Sequence, residues 1–177
     1  LDVGASTGGF TEVLLRRGAS KVVSLDVGHD QMVPELKRNR KVINIEGFNA
    51  RELSPETLRD ATKELGTTVD VAATPFDVVV SDLSFISLTL VLPAMVSVAP
   101  DADFVLLIKP QFEVGRGEVG KGGVVRDPVL HQRVCDEVRE WLESSGWTVE
   151  GIVESPIKGP EGNVEFLISA QRGQEQR

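Results

Sequence analysis

Apolar positions along this chain gather into short, nearly unbroken runs. Residues 21–26 (KVVSLD), 41–46 (KVINIE), 76–82 (FDVVVSD) and 103–109 (DFVLLIK) are β-branched or aliphatic almost throughout. Runs of that kind suit strands covered on both faces. Between and after them lie stretches with helical spacing, at residues 7–17, 55–65, 88–98 and 128–145. Strand and helix in alternation predict a parallel sheet with helices on both sides. The end of the chain breaks the pattern. Residues 148–155 and 163–170 read as two strands joined by the short loop SPIKGPEG. A connection that short cannot make a parallel crossover, so this pair is predicted antiparallel.

Composition narrows the picture in four ways. A chain of 177 residues, 41% hydrophobic, suits one full-sized core, with a single domain expected over residues 1–170 and a flexible tail (QRGQEQR) over 171–177. No apolar run reaches the roughly 18 residues a membrane helix needs, so no membrane partner is expected. The lone cysteine, Cys135, reads as packing and fits a reducing, cytoplasmic compartment, and no Cys/His cluster calls for a metal. The net charge of −8 argues against a free-standing nucleic-acid binder. A nucleic-acid partner would need a local basic patch or a second domain.

The chain opens LDVGASTGGF, the tail of a first strand (residues 1–3) followed by a glycine-rich turn. Ligands of open α/β sheets sit beyond the carboxyl ends of the strands. Asp2, Gly4, Ser6, Gly8, Gly9 and Phe10 are the candidate cofactor residues of this turn. Asp26, about twenty residues on, ends the next strand, where a carboxylate can accept both hydroxyls of a ribose. A dinucleotide fingerprint wants glycine where Ser6 stands. The turn therefore suits an adenosine ligand without a pyrophosphate, such as S-adenosyl-L-methionine. With the terminal hairpin, this is the Rossmann-like methyltransferase arrangement. A merely tight strand–helix turn is the blander reading.

A second glycine stretch, GRGEVGKG at residues 115–122, satisfies G-x-x-x-x-G-K but has Gly122 where a phosphate loop needs Ser or Thr for magnesium. An NTP-binding loop is therefore excluded. A mobile surface loop and a substrate lid both stay open. In the second reading Arg116, Lys121 and Arg126 meet substrate phosphates.

Three charged residues mark the chemistry. Asp82 ends FDVVVSD and Lys109 ends DFVLLIK, at the carboxyl ends of strands expected to be central. Glu165 is expected within the last strand, in GNVEFLIS, where an acid between Val164 and Phe166 is unusual. Singly, each has an ordinary alternative as a cap or a surface ion pair.

The motifs DVGASTGGFT, SDLSFIS, LIKPQFEVGRGEVGKGGVVRD and GNVEFL resemble the TlyA (haemolysin A-like) family of FtsJ-type RNA 2′-O-ribose methyltransferases, over essentially the whole chain. The resemblance implies a Lys–Asp–Lys–Glu tetrad in which Asp82, Lys109 and Glu165 are three members. The fourth, a lysine upstream of the glycine turn, and an S4-type RNA-binding domain are expected ahead of Leu1. It implies S-adenosyl-L-methionine as cofactor, RNA as substrate and ribosomal subunits as partners. A lysine is a poor base while protonated, and desolvation favours its neutral form. Lys109 is thus the candidate base, with Asp82 and Glu165 orienting it and the ribose. Asn49, in GFNAREL, is placed for the adenine edge. A membrane-active haemolysin and a cofactor-binding domain without activity are the competing readings.

Overall fold

Each aliphatic run becomes a strand shorter than the run itself. The structure, a computed structural model, describes residues 1–172. The chain order is β1 (Asp2–Val3), α1 (Gly9–Arg16), β2 (Val22–Leu25), α2 (Pro34–Lys37), β3 (Val42–Ile45), α3 (Pro55–Glu64), β4 (Val78–Ser81), α4 (Leu88–Val98), β5 (Asp103–Ile108), α5 (Pro110–Glu113), α6 (Pro128–Ser144), β6 (Trp147–Glu154) and β7 (Phe166–Arg172). These residues form two compact units, one of residues 1–82 and 91–102, the other of residues 83–90 and 103–172.

In the first unit the strands run β3-β2-β1-β4, all pairings parallel. The register sets Asp2 against Ser24 and Val80, and Val22 against Val42. Val3, Val22, Leu25 and Val79 are buried, as the continuous runs require. α3 starts on a sequence-readable cap: Ser54 Oγ accepts from Thr57 N, and Thr57 Oγ1 accepts from Ser54 N. Its Leu58 is fully buried, which contributes about 1.5–3 kcal/mol.

In the second unit the order is β5-β7-β6, antiparallel throughout, and for β6–β7 the short connection demands it. The β5–β7 register sets Phe104 against Ala170 and Ile108 against Phe166. α6 begins on Asp127, which caps Val129 N, and buries Val134, Cys135, Val138 and Leu142. Phe104 stacks on Trp147 at 4.8 Å between ring centroids.

Two sequence expectations need correction here. β7 begins at Phe166, three residues later than expected, because its ladder with β6 opens at the Glu154–Phe166 pair. Glu165 therefore precedes the strand rather than lying within it. β7 also runs through Gln171 and Arg172, which pair with Thr148 and Trp147, so the expected tail starts later. The remainder of that tail lies outside the described residues.

Candidate functional site

In the first unit the site is built around the turn after β1. Gly4 (φ 81), Ser6 (φ 50) and Gly8 (φ 102) all have left-handed backbones. Gly4 N and Ala5 N both donate to Leu25 O, at 2.9 and 3.0 Å, which folds the turn over the end of β2. A side chain at Gly8 would also strike Leu36 Cδ1, so packing against α2 reinforces the backbone demand for glycine. Above Gly9 there is open space.

Asp26, just past β2, is bonded to this turn. Its Oδ2 accepts from Ser6 N at 2.8 Å and its Oδ1 from Gly28 N at 2.8 Å. Asp26 also fixes the next loop, since its carbonyl accepts from Phe48 N at 2.9 Å. That loop carries Asn49, which is exposed. Asn49 Oδ1 caps Arg51 N at 3.0 Å. Asp82 follows β4, and its N donates to Val3 O at 3.0 Å, which sets it beside the start of the turn. Phe10 is half-buried in the first turn of α1.

Asp2 is fully buried. Its Oδ2 accepts from Thr11 Oγ1 at 2.7 Å, and Thr11 in turn bonds Ser24 Oγ at 2.7 Å. Asp2 Oδ1 has no partner among the described residues. Burial pushes its carboxyl up to about 6, against the pull of the Thr11 bond.

In the second unit Lys109 ends the β5 run, 9% exposed, and its Nζ donates to Ser84 Oγ at 3.1 Å. Ser84 stands two residues after Asp82 in the chain. The whole segment 84–88 is clamped to 109–113. Phe85 packs on Phe112 with centroids 4.9 Å apart. Glu113 accepts from Ser87 Oγ at 2.6 Å and from Leu88 N at 2.8 Å. Burial raises the Glu113 carboxyl above its ordinary range. Phe85 itself is 90% exposed and has a left-handed backbone (φ 64), strained for an aromatic residue.

Glu165 is 6% exposed, and its Oε2 accepts from Gln111 Nε2 at 2.8 Å. Gln111 Oε1 is buried without a partner among the described residues. The Glu165 carboxylate passes so close under Gly159 that a Cβ there would run into Oε2.

The glycine stretch 115–122 is held in place. Glu118 makes a two-pronged ion pair with Arg133 of α6, at 2.6 and 2.7 Å, which pulls its carboxyl down to about 2. Arg126 Nη1 donates to Lys121 O at 3.1 Å. Arg116, Lys121 and Arg126 are all exposed. Asn163, 2% exposed, joins this stretch to the β6–β7 loop. Its Oδ1 accepts from Val125 N at 3.0 Å, while Nδ2 donates to Gly123 O and Pro160 O at 3.0 Å each.

Sequence reasoning missed Ser84, Phe85, Gln111, Glu113 and Asn163. All five lie inside the motifs quoted above, but none is charged at a strand end except by proximity to Lys109 or Glu165. Only the partners in space single them out.

Among the described residues no group of three or more His, Cys, Asp and Glu side chains is arranged to hold a metal, and no helix is long and apolar enough to cross a membrane.

Residues 1–172 match the FtsJ-like methyltransferase family. The chain is 50% identical over 169 residues to the 16S/23S rRNA (cytidine-2′-O)-methyltransferase TlyA of Mycobacterium tuberculosis, covering 95% of this chain and 58% of that protein. It is 42% identical to Hemolysin A of Brachyspira hyodysenteriae, covering 94% of this chain and 65% of the relative. A solved structure from Streptococcus thermophilus, named for hemolysin, superposes with a TM-score of 0.83 at 37% identity, covering 98% of this chain and 58% of that one. The chain thus spans less than two thirds of the length of each of these three relatives.

Proposed function

The chain belongs to the FtsJ-like methyltransferase family, and we propose that it methylates a ribose 2′-hydroxyl in RNA, with S-adenosyl-L-methionine as methyl donor and ribosomal RNA as substrate. The observation that carries this reading is Lys109, buried at the end of β5 with its Nζ donating to the Ser84 hydroxyl.

The residues present fit the donor. Open space lies over Gly9. Each Asp26 oxygen accepts one backbone bond and retains room for a ribose hydroxyl. Asp2, fully buried, accepts from Thr11 of α1 and so braces the turn from within. Val27, 72% exposed next to Asp26, offers an apolar face for adenine, with Asn49 at its edge. S-adenosyl-L-methionine supplies an electrophilic methyl group when bound.

The chain's own residues do the rest. Lys109 Nζ, in its neutral form, takes the proton that the 2′-hydroxyl loses. Ser84 holds that nitrogen in place, and Asp82 and Glu165 orient lysine and ribose, Glu165 being fixed by Gln111. Positioning of this kind supplies much of the rate in an in-line displacement. Phe85, exposed on Phe112, gives an unstacked base a ring to lie on, worth about 1–3 kcal/mol. Arg116, Lys121 and Arg126 meet phosphates from a stretch tied down at Glu118. A companion RNA-binding domain and ribosomal subunits complete the partners, in the cytoplasm.

A membrane-lytic role has less support. The apolar face of α6 is already spent on burying Val134, Val138 and Leu142.

The test is transfer of a labelled methyl group to ribosomal RNA, followed by nucleoside mass spectrometry. The expected product is a 2′-O-methylated nucleoside, and a base-methylated product or none contradicts the reading.

A further inference from the structure

Positive charge in this acidic chain is unevenly spread. Residues 16–41 hold seven lysines and arginines (Arg16, Arg17, Lys21, Lys37, Arg38, Arg40, Lys41) against three acids (Asp26, Asp30, Glu35), a local excess of four in a chain of net −8. The fold sorts these seven. Arg16 pairs with Glu12 at 2.6 Å. Lys37 pairs with Asp30 at 3.3 Å and Glu46 at 3.6 Å. The other five, Arg17, Lys21, Arg38, Arg40 and Lys41, are exposed, and their side chains have no ion pair or hydrogen bond among the described residues.

Their places in the first unit bring them to one edge. Arg17 follows α1 and Lys21 enters β2; Arg38 follows α2, and Arg40 and Lys41 enter β3. In strand–helix–strand units, helix ends and the starts of the following strands lie at the same end of the sheet. The parallel register Val22–Val42 sets Lys21 and Lys41 abreast, with Val22 N donating to Lys41 O at 2.8 Å. Neighbouring strands lie about 4.8 Å apart, so two like charges stand side by side at a cost in stability. Asp70 and Asp77 are the acids nearby, lining one hollow of about 480 Å³ with Arg17 and Lys21, and neither pairs with them.

We propose that this edge is a second RNA-contact surface that grips backbone phosphates, at the opposite end of the strands from the Gly4–Gly9 turn. The RNA assignment rests on the proposed function. Asn39, the one amide among these cations, accepts from Lys41 N at 2.9 Å, and Phe76 in the hollow is half-buried, so the exposed charges suit a phosphate backbone rather than base edges. A membrane surface would need exposed apolar residues among the cations, and RRGASK and KRNRK contain none. Strands of four residues put about 13 Å between the turn and the patch. The substrate that reaches both is folded RNA, not a short single strand.

The test is the variant Lys21→Gln/Arg38→Gln/Arg40→Gln/Lys41→Gln, with an unchanged melting temperature as the check on folding. Affinity for a folded ribosomal RNA domain is measured between 50 and 200 mM salt. Loss of four phosphate contacts lowers the slope of log K against log salt by about three and weakens binding at least about tenfold at 100 mM salt. Cofactor affinity and turnover at saturating RNA stay unchanged. An unaltered slope and affinity overturn the proposal. So does a variant that keeps RNA binding but loses binding to phosphatidylserine vesicles, which assigns the patch to a membrane. If the slope moves although the parent protein transfers no methyl group to RNA, the methyltransferase reading fails and the contact surface stands. If transfer is intact and the slope is unmoved, the surface alone fails.

Discussion

Gln111 donates from Nε2 to Glu165 Oε2 at 2.8 Å, and its own Oε1 stays buried with no partner among the described residues. An unsatisfied buried acceptor costs about 1–3 kcal/mol. A residue kept at that cost is explained by what its other end does, which here is to hold the Glu165 carboxylate in one orientation. Gln111→Met removes the bond and the orphaned oxygen together. One orphaned acceptor, Gln111 Oε1, is thereby exchanged for another, Glu165 Oε2, so the expected result is no gain in melting temperature, with turnover lowered about tenfold or more. Unchanged turnover contradicts the positioning role.

Gly159 tests the same carboxylate from the other side. Its φ is −76, so any residue suits the backbone, and only the space is closed, by Glu165. Gly159→Ala displaces the carboxylate and should cost turnover as Glu165→Gln does. In the double variant the two losses should not add, as holds for residues acting as one unit. Additive losses in steady-state kinetics contradict the shared cause.

Asp2 makes stability depend on pH. Its carboxyl is raised from 3.8 to about 6 by burial. The folded state therefore favours the neutral acid, and that stabilisation is full below pH 4 and lost as pH rises through about 6. Two pH units correspond to at most about 3 kcal/mol. Urea unfolding of Asp2→Asn at pH 4 to 7 should show a flatter stability profile than the parent. An identical slope contradicts the buried acid.

Asn163 should behave as a structural tie rather than a catalytic group. Asn163→Ala strips partners from Val125 N, Gly123 O and Pro160 O. A loss of about 2–3 kcal/mol in unfolding free energy is expected, with faster hydrogen exchange in both loops. A change confined to one loop contradicts the link.

Much of the fold was legible because buried parallel strands leave continuous aliphatic runs, and because a short loop forces the strands it joins to be antiparallel. Lys109, Asp82 and Asp26 were legible for a related reason: a charged residue closing such a run sits at a strand's carboxyl end. Glu165 was found but misplaced, since the sequence does not reveal that the β6–β7 ladder opens only at Phe166. Ser84, Gln111 and the left-handed Phe85 were out of reach, because their significance lies in a partner or a backbone angle. The basic edge was equally hidden. Lys21 and Lys41 are twenty residues apart, and only strand pairing sets them abreast.

The central claim is that Lys109 performs the proton transfer in RNA methylation. Its most direct test is single-turnover methyl transfer to ribosomal RNA by Lys109→Met, with cofactor affinity measured on the same preparation by calorimetry. The account predicts that transfer falls by at least about a hundredfold while cofactor affinity is nearly unchanged, since a general base acts in the transition state. Transfer at the parent rate, or a loss wholly explained by weaker cofactor binding, contradicts it.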